Sequence, residues 1–256
     1  FDAALAKLTE QQAPALDRVA LLMRIALVMR YADPRRAVAL FEEAAKLATA
    51  SGEAGVGFLS SFLAGINRVS MGDVRSGLRQ MMQVAEALQV LPFEERVGNW
   101  SRVSLGTISN DPSLFGSVIS DLVNVGRLSE ASAWSEKLRA EPAPQLRPGL
   151  PGSPYADGLA GQTNLAALLG QIAQACQYAQ ETRAAYGLME HHWRLAYVLG
   201  TELELIQLRY FPEDLSGRRR LADESLLEAR EAQGMGGIHH PQLNLLPLLW
   251  IEGEWG

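Results

Sequence analysis

The sequence predicts an all-α protein: a right-handed superhelical solenoid of antiparallel helix pairs, about five hairpins and part of a sixth, forming one domain over residues 1–256. Three observations carry that expectation. Apolar residues recur at the three-and-four spacing of a helix stripe. A turn signal of Asp-Pro, or of Gly followed by a polar residue, comes back at a nearly constant interval. Behind the first such turn, Ala37, Phe41 and Ala44 place a small, a large and a small residue on one helical face, so that a second helix can lie close.

Taken in order, the segment from Leu16 to Tyr31 is the first helix, with Leu16, Val19, Ala20, Met23, Ala26 and Leu27 on one stripe. A tight turn at Tyr31-Ala32-Asp33 reverses the chain. Asp33 is an N-cap whose carboxylate accepts from free backbone N–H groups, and Pro34 stands at the first helical position, where its missing N–H costs nothing. The next pair has Phe58, Phe62, Leu63, Ile66 and Val69 before Gly72-Asp73, and Leu78, Met81, Met82, Ala85 and Leu88 after it. Further turns fall at Gly126-Arg127, before Leu128, Glu130, Ala131, Trp134 and Leu138, and at Gly170-Gln171, before Ile172, Ala175, Tyr178, Ala179 and Thr182. A fifth falls at Pro212-Glu213, before Leu215, Gly217, Leu221 and Leu226, and a sixth opens at Gly253-Glu254-Trp255. From Asp33 through Asp73, Arg127, Gln171 and Glu213 to Glu254, subtraction gives intervals of 40, 54, 44, 42 and 41. The long one has room for an extra helix over 93–108. Helix pairs about 40 residues apart, each unable to bury its apolar face alone, stack into a superhelix. Gly52 and Gly234 fit as the glycines that end second helices.

One stretch breaks the texture. Residues 141–154 hold five prolines in fourteen positions, which forbids a helix. It reads as a long surface loop, or as a hinge or lid beside a groove.

Composition narrows the function. A net charge of −6 argues against direct contact with nucleic acid and gives no support for an anionic membrane partner, and no apolar run is long enough to span a bilayer. Cys176 is the single cysteine, so the chain has no internal disulfide and no cysteine-based zinc site; this fits a cytoplasmic protein. The chain starts at Phe1 without a signal peptide and stops at Trp255-Gly256, and both ends read as cuts in a longer protein. No phosphate loop, GxSxG, HExxH or CxxC occurs, so catalysis and a cofactor in this piece are not expected. Glu42-Glu43, Glu94-Glu95 and Glu202/Glu204 read as solvated helix faces. His191-His192 and His239-His240 point about 100° apart within each doublet, and no metal site is assigned. Trp134, Trp250 and Trp255 fit the core or the edge of a turn.

Glycine then acid at the turn, with Ala-x3-Phe-x2-Ala behind it, resembles the tetratricopeptide repeat, with a longer unit and with Leu21 and Val28 in place of the large first-helix aromatic. The longer period is similar to the helical-repeat region of large LuxR-type ATP-binding bacterial transcription regulators, the group that includes the maltose-regulon activator. Three stretches carry this: 33–47, 226–234 and 248–255. The last reads as a leucine-rich helix, Glu-Gly, acid and Trp. The resemblance implies a sensor and interaction module that binds a small inducer or a protein partner in a concave groove. It also implies an NTPase and a DNA-binding domain elsewhere in the longer protein. First helices line the groove in such arrays, which makes Asn67, Trp100, Asn164, Trp193 and Arg194 the candidate ligand-binding residues. Two alternatives stay open: a plain peptide-binding scaffold, disfavoured because lysine occurs only as Lys7, Lys46 and Lys137, and a repeat region attached to a cyclase or kinase.

Overall fold

A computed structural model describes residues 3, 7, 13–92, 114–141, 146–150, 152–232 and 246–253. Among them every regular element is a helix, and no strand occurs. The expected helix over 93–108, Trp100, Glu94-Glu95, the 239–240 histidine doublet, Gly234, Trp255 and the prolines at 142, 144 and 151 lie outside the described residues. No described helix is long and apolar enough to cross a membrane. The chain divides into two compact units, Phe1–Asp121 and Leu122–Gly256. The proline-rich stretch lies inside the second unit.

In the first unit, α1 (Ala15–Met29), α2 (Pro34–Ala50), α3 (Ala54–Ser70) and α4 (Val74–Gln89) follow one another, each packed on the next. As the stripe predicts, Val19, Met23, Ala26 and Leu27 of α1 are buried, as are Ala37, Phe41 and Ala44 of α2. A fifth helix, α5 (Leu114–Asn124), contains the division. The second unit continues with α6 (Leu128–Ala140), α7 (Pro154–Leu168), α8 (Ile172–Leu188), α9 (His192–Glu202, prolonged through Tyr210), α10 (Leu215–Glu231) and α11 (Leu246–Glu252). From α6 to α10 each again packs on the next.

The turns explain this order. Where Gly52, Gly72, Gly126 and Gly170 stand, φ is +83°, +90°, +78° and +73°, the left-handed conformation that glycine adopts without penalty. The next residue then donates its N–H back to the carbonyl five positions earlier: Glu53 to Ala48 at 2.8 Å, Asp73 to Arg68 at 3.0 Å, Arg127 to Leu122 at 2.9 Å and Gln171 to Ala166 at 2.8 Å. This is the Schellman closure, which satisfies the orphan carbonyls of one helix and starts the next within three residues. A fifth copy joins α8 to α9 without glycine: Glu190 takes φ +53°, and His191 N–H reaches Tyr186 O at 3.1 Å. Where no left-handed residue is present, an N-cap side chain takes over. Asp33 Oδ1 accepts from Arg36 N at 3.1 Å, and Asp214 Oδ1 accepts from Gly217 N at 2.9 Å.

The fifth unit therefore opens at Asp214, one residue later than the sequence spacing suggests. The interval from Gln171 is 43 residues. Inside the preceding helix, Leu203–Gln207 widens into a π turn, the usual way a helix absorbs an added residue.

Small residues set how close the layers come. A Cβ on Gly77 of α4 would stand 2.7 Å from Gly65 O and 2.8 Å from Val69 N of α3. One on Gly158 of α7 would stand 2.7 Å from Ser135 O of α6. At these crossings backbone lies on backbone. One tryptophan departs from expectation. Trp134 is buried, but Trp250 is 68% exposed, because Leu248 takes the inward position of the seven-residue α11 and Trp250, two residues on, is turned about 200° away.

Two outcomes follow. Gly77→Ala gains about 1 kcal/mol of helix propensity but forces a methyl against backbone atoms, so a net loss of about 1–2 kcal/mol is expected in urea unfolding. Glu190→Gly removes a left-handed non-glycine residue and is expected to stabilise the chain by about 1 kcal/mol, read as a rise in melting temperature of a few degrees.

Candidate functional site

The first turn of α7 begins the site. Ser153 Oγ accepts from Ala156 N at 3.3 Å, and Pro154 occupies the first helical position. That start places Asp157 in the first turn, where the helix dipole favours a negative charge. The Asp157 side chain is 1% exposed. A carboxylate so buried is costly unless it is hydrogen-bonded and balanced by charge.

Two other helices supply that balance. Tyr186, at the end of α8, donates its hydroxyl to Asp157 Oδ1 at 2.6 Å. Arg194, in the first turn of α9, holds Nη2 4.0 Å from the same oxygen. The arginine is mostly buried, and its guanidinium also lies 5.1 Å from the centre of the Trp193 ring, a cation–π distance. Trp193 is half-buried and stacks on Tyr197 one turn along, with centroids 6.0 Å apart and planes 10° from parallel. His191 meets the edge of Tyr186 at 6.1 Å. Three helices thus converge through one acid, one phenol and one guanidinium, with two aromatic rings alongside.

The proline-rich stretch touches this region. Gly149, at φ +74°, donates its N–H to Met189 O at 3.0 Å, and Leu150 and Ser153 are buried. The end of the stretch is therefore tied to the turn that carries Tyr186 and His191, while Arg147, Pro148 and Gly149 are exposed at the surface.

Of the candidate residues, the structure brings Trp193 and Arg194 together. Asn164 lies on α7 seven residues beyond Asp157, hence on the same face, and is half-buried. Asn67 belongs to the first unit. It is buried, and its Nδ2 donates to Leu63 O at 2.8 Å in its own helix. The next residue, Arg68, forms ion pairs with Glu42 and with Asp73, the latter at 3.4 Å. Sequence reasoning missed Asp157 and Tyr186. Ser153-Pro154 four residues before an acid was the available signal for Asp157; nothing in the sequence marks Tyr186 as its partner.

Other charges tie helices together. Glu43 and Glu204 are solvent-exposed, but Glu202 is not the solvated carboxylate expected. Its side chain is 14% exposed and faces Arg183 at 3.3 Å, and burial holds its pKa above the ordinary carboxylate value against the pull of that arginine. The α9–α10 pair buries Leu199, Leu203, Leu221 and Ala222 together, and this packing brings the Glu202 segment under α8. His192 Nδ1 stands 2.7 Å from Glu228 Oε2, joining α9 to α10. Among the described residues no group of three His, Cys, Asp or Glu side chains is arranged to hold a metal ion.

Compared with known proteins, the chain matches no family model and shows no significant similarity to a curated sequence.

Tyr186→Phe keeps the ring and removes the 2.6 Å donor from a buried carboxylate. A hydrogen bond to a charged group contributes about 1.5–3 kcal/mol, and a loss of that size in urea unfolding is expected. A variant as stable as the parent would show that Asp157 does not depend on the phenol.

Proposed function

We propose that this chain is the ligand- and protein-binding repeat region of a LuxR-type ATP-binding transcriptional regulator, without catalysis of its own. In this reading the hairpins stack as layers of a right-handed superhelix whose first helices line a groove. The groove takes a small inducer or a protein partner, and the NTPase and DNA-binding domains lie elsewhere in the longer protein.

One observation supports it most: α7 and α9, the first helices of two consecutive hairpins, face each other through Asp157 and Arg194. Around that contact lie half-buried Asn164, Trp193 and Tyr197. Half-buried aromatic and amide groups beside a fixed charge suit recognition. None of them is placed as a nucleophile with its base. Occupancy of the groove would favour one arrangement of the α7 and α9 layers over another. By linkage, it would bias the attached domains by the difference in affinity for the two arrangements.

A thermal-shift screen of sugars, organic acids and other small metabolites tests the reading. A true ligand at about 100 times its Kd adds about 2.7 kcal/mol of stability, a rise of several degrees. Trp193→Ala should abolish that rise while still unfolding cooperatively. A response to peptides alone favours the plain peptide-binding scaffold over an inducer sensor, and a response to neither small molecules nor peptides overturns the reading.

A further inference from the structure

Where α8 meets the π turn that prolongs α9, small and apolar side chains pack together. Ala175 and Ala179 of α8 are fully buried against Ile206 of that turn. One turn beyond Ala179 along α8 stands Arg183, and one turn before Ile206 stands Glu202, the last residue of α9. The two helices run antiparallel, so these positions face each other. Glu202 Oε2 lies 3.3 Å from Arg183 Nε without making a hydrogen bond. The partners are unequally placed: the Glu202 side chain is 14% exposed, whereas that of Arg183 is 31% exposed and reaches water. The π turn begins directly after Glu202, at fully buried Leu203, and such turns recur at functional sites.

The helices around Glu202 bring charges of both signs. From α8 come Arg183, which favours the ionised carboxylate, and Cys176, whose own pKa is pushed up by burial and by Glu202. From α10 come Glu224, which opposes ionisation, and Arg220, which favours it; these two stand 3.8 Å apart and act in opposite senses. Asp157 of α7 lies toward the far end of α9, against Arg194. Glu252 of α11 pairs with Arg218 and Arg219 of α10. Burial is the largest influence left, and it outweighs Arg183. An ionised carboxylate taken out of water without a hydrogen bond is costly, and a bound proton removes that cost.

We propose that Glu202 is a proton-operated clasp between α8 and α9, which tightens their crossing as pH falls. Ionised, the carboxylate sits in the crossing at a cost that Arg183 only partly offsets. Protonated, it packs as a neutral side chain, and the Arg183 guanidinium turns to the water it already reaches. The folded chain holds this proton more tightly than the unfolded chain does. Its contribution to stability is therefore fully present below the ordinary carboxylate value, and it is lost as pH rises through the raised folded value. The clasp joins the two helices that carry Tyr186 and Arg194, and it stands whether or not the face between α7 and α9 takes a ligand.

Thermal unfolding of the 256-residue chain between about pH 4.5 and about pH 7.5 tests the proposal. Glu202→Gln, a neutral stand-in for the protonated side chain, should melt a few degrees above the parent at the upper end, with the gap closing toward the lower end. Asp121, which burial pushes up to about 6, titrates alike in both proteins and cancels in the comparison. Hydrogen exchange of the Leu203–Gln207 amides, corrected for its intrinsic pH dependence, should slow several-fold on acidification in the parent and not in the variant. Arg183→Gln removes a group that favours ionisation, so the Glu202 carboxyl titration followed by NMR should move further up. A gap between parent and Glu202→Gln that does not change with pH, a Glu202 carboxyl titrating at or below the ordinary value, or exchange over 203–207 that ignores pH overturns the proposal. None of these measurements involves a ligand, so this proposal and the functional reading fail separately.

Discussion

The structure depends on reversing a helix within three residues. A helix end leaves four carbonyls unpaired, and a connection of three residues has no length in which to satisfy them except by folding back on itself. A left-handed residue does this: it turns the backbone so that the following N–H reaches the carbonyl five positions earlier. Gly52, Gly72, Gly126 and Gly170 meet that need at no steric cost. The next helix then has to lie antiparallel on the one before it. How near it lies is decided by the first buried residues after the turn, which is why Gly77 rests on the backbone at Gly65 and Val69. Turn and crossing are one constraint seen at two points.

The candidate site grows from the copy of that turn which lacks glycine. Tyr186 closes the α8–α9 connection with its carbonyl, accepting from His191 N, and holds Asp157 with its hydroxyl. Glu190 beside it bears a left-handed conformation that costs a side-chain-bearing residue about 1 kcal/mol. A strained turn persists where its surroundings over-determine it. Here they do, because the Gly149 N–H binds the Met189 carbonyl on one side of Glu190 and the His191 ring meets Tyr186 on the other. Local strain and the buried charge therefore share one set of contacts.

Much of the fold was legible because its signals are local. Asp33-Pro34 marks a helix start by the chemistry of adjacent residues, and Gly72, Gly126 and Gly170 mark turns by the one conformation they favour. Ala37, Phe41 and Ala44 show their common face by spacing alone. What escaped depends on distance along the chain or on element length. The Glu190 turn has no glycine to announce it. The π turn at Leu203–Gln207 and the start at Asp214 in place of Glu213 are details that apolar periodicity does not register. Asp157 and Tyr186 are 29 residues apart, and their meeting depends on the relative rotation of two helices. Trp250 fitted the core or a turn edge because spacing alone does not say which face of its helix is docked, and Glu202 looked solvated because carboxylates usually are.

The charge arrangement also sets what a ligand at α9 would alter. Asp157 meets Tyr186 within hydrogen-bond range and Arg194 at 4.0 Å. The phenol fixes the carboxylate to α8, whereas the guanidinium balances its charge from α9 across a gap that small motions change. At low effective dielectric, such a gap changes the interaction energy far more than it would in water. Any group that draws Arg194 outward along the Trp193 ring therefore weakens the α7–α9 link and leaves the α7–α8 link intact. The α7–α9 contact is thus the one of the two that depends most on a charge separation. A contact of that kind is enough for binding at a half-buried surface to be felt by the helices packed behind it.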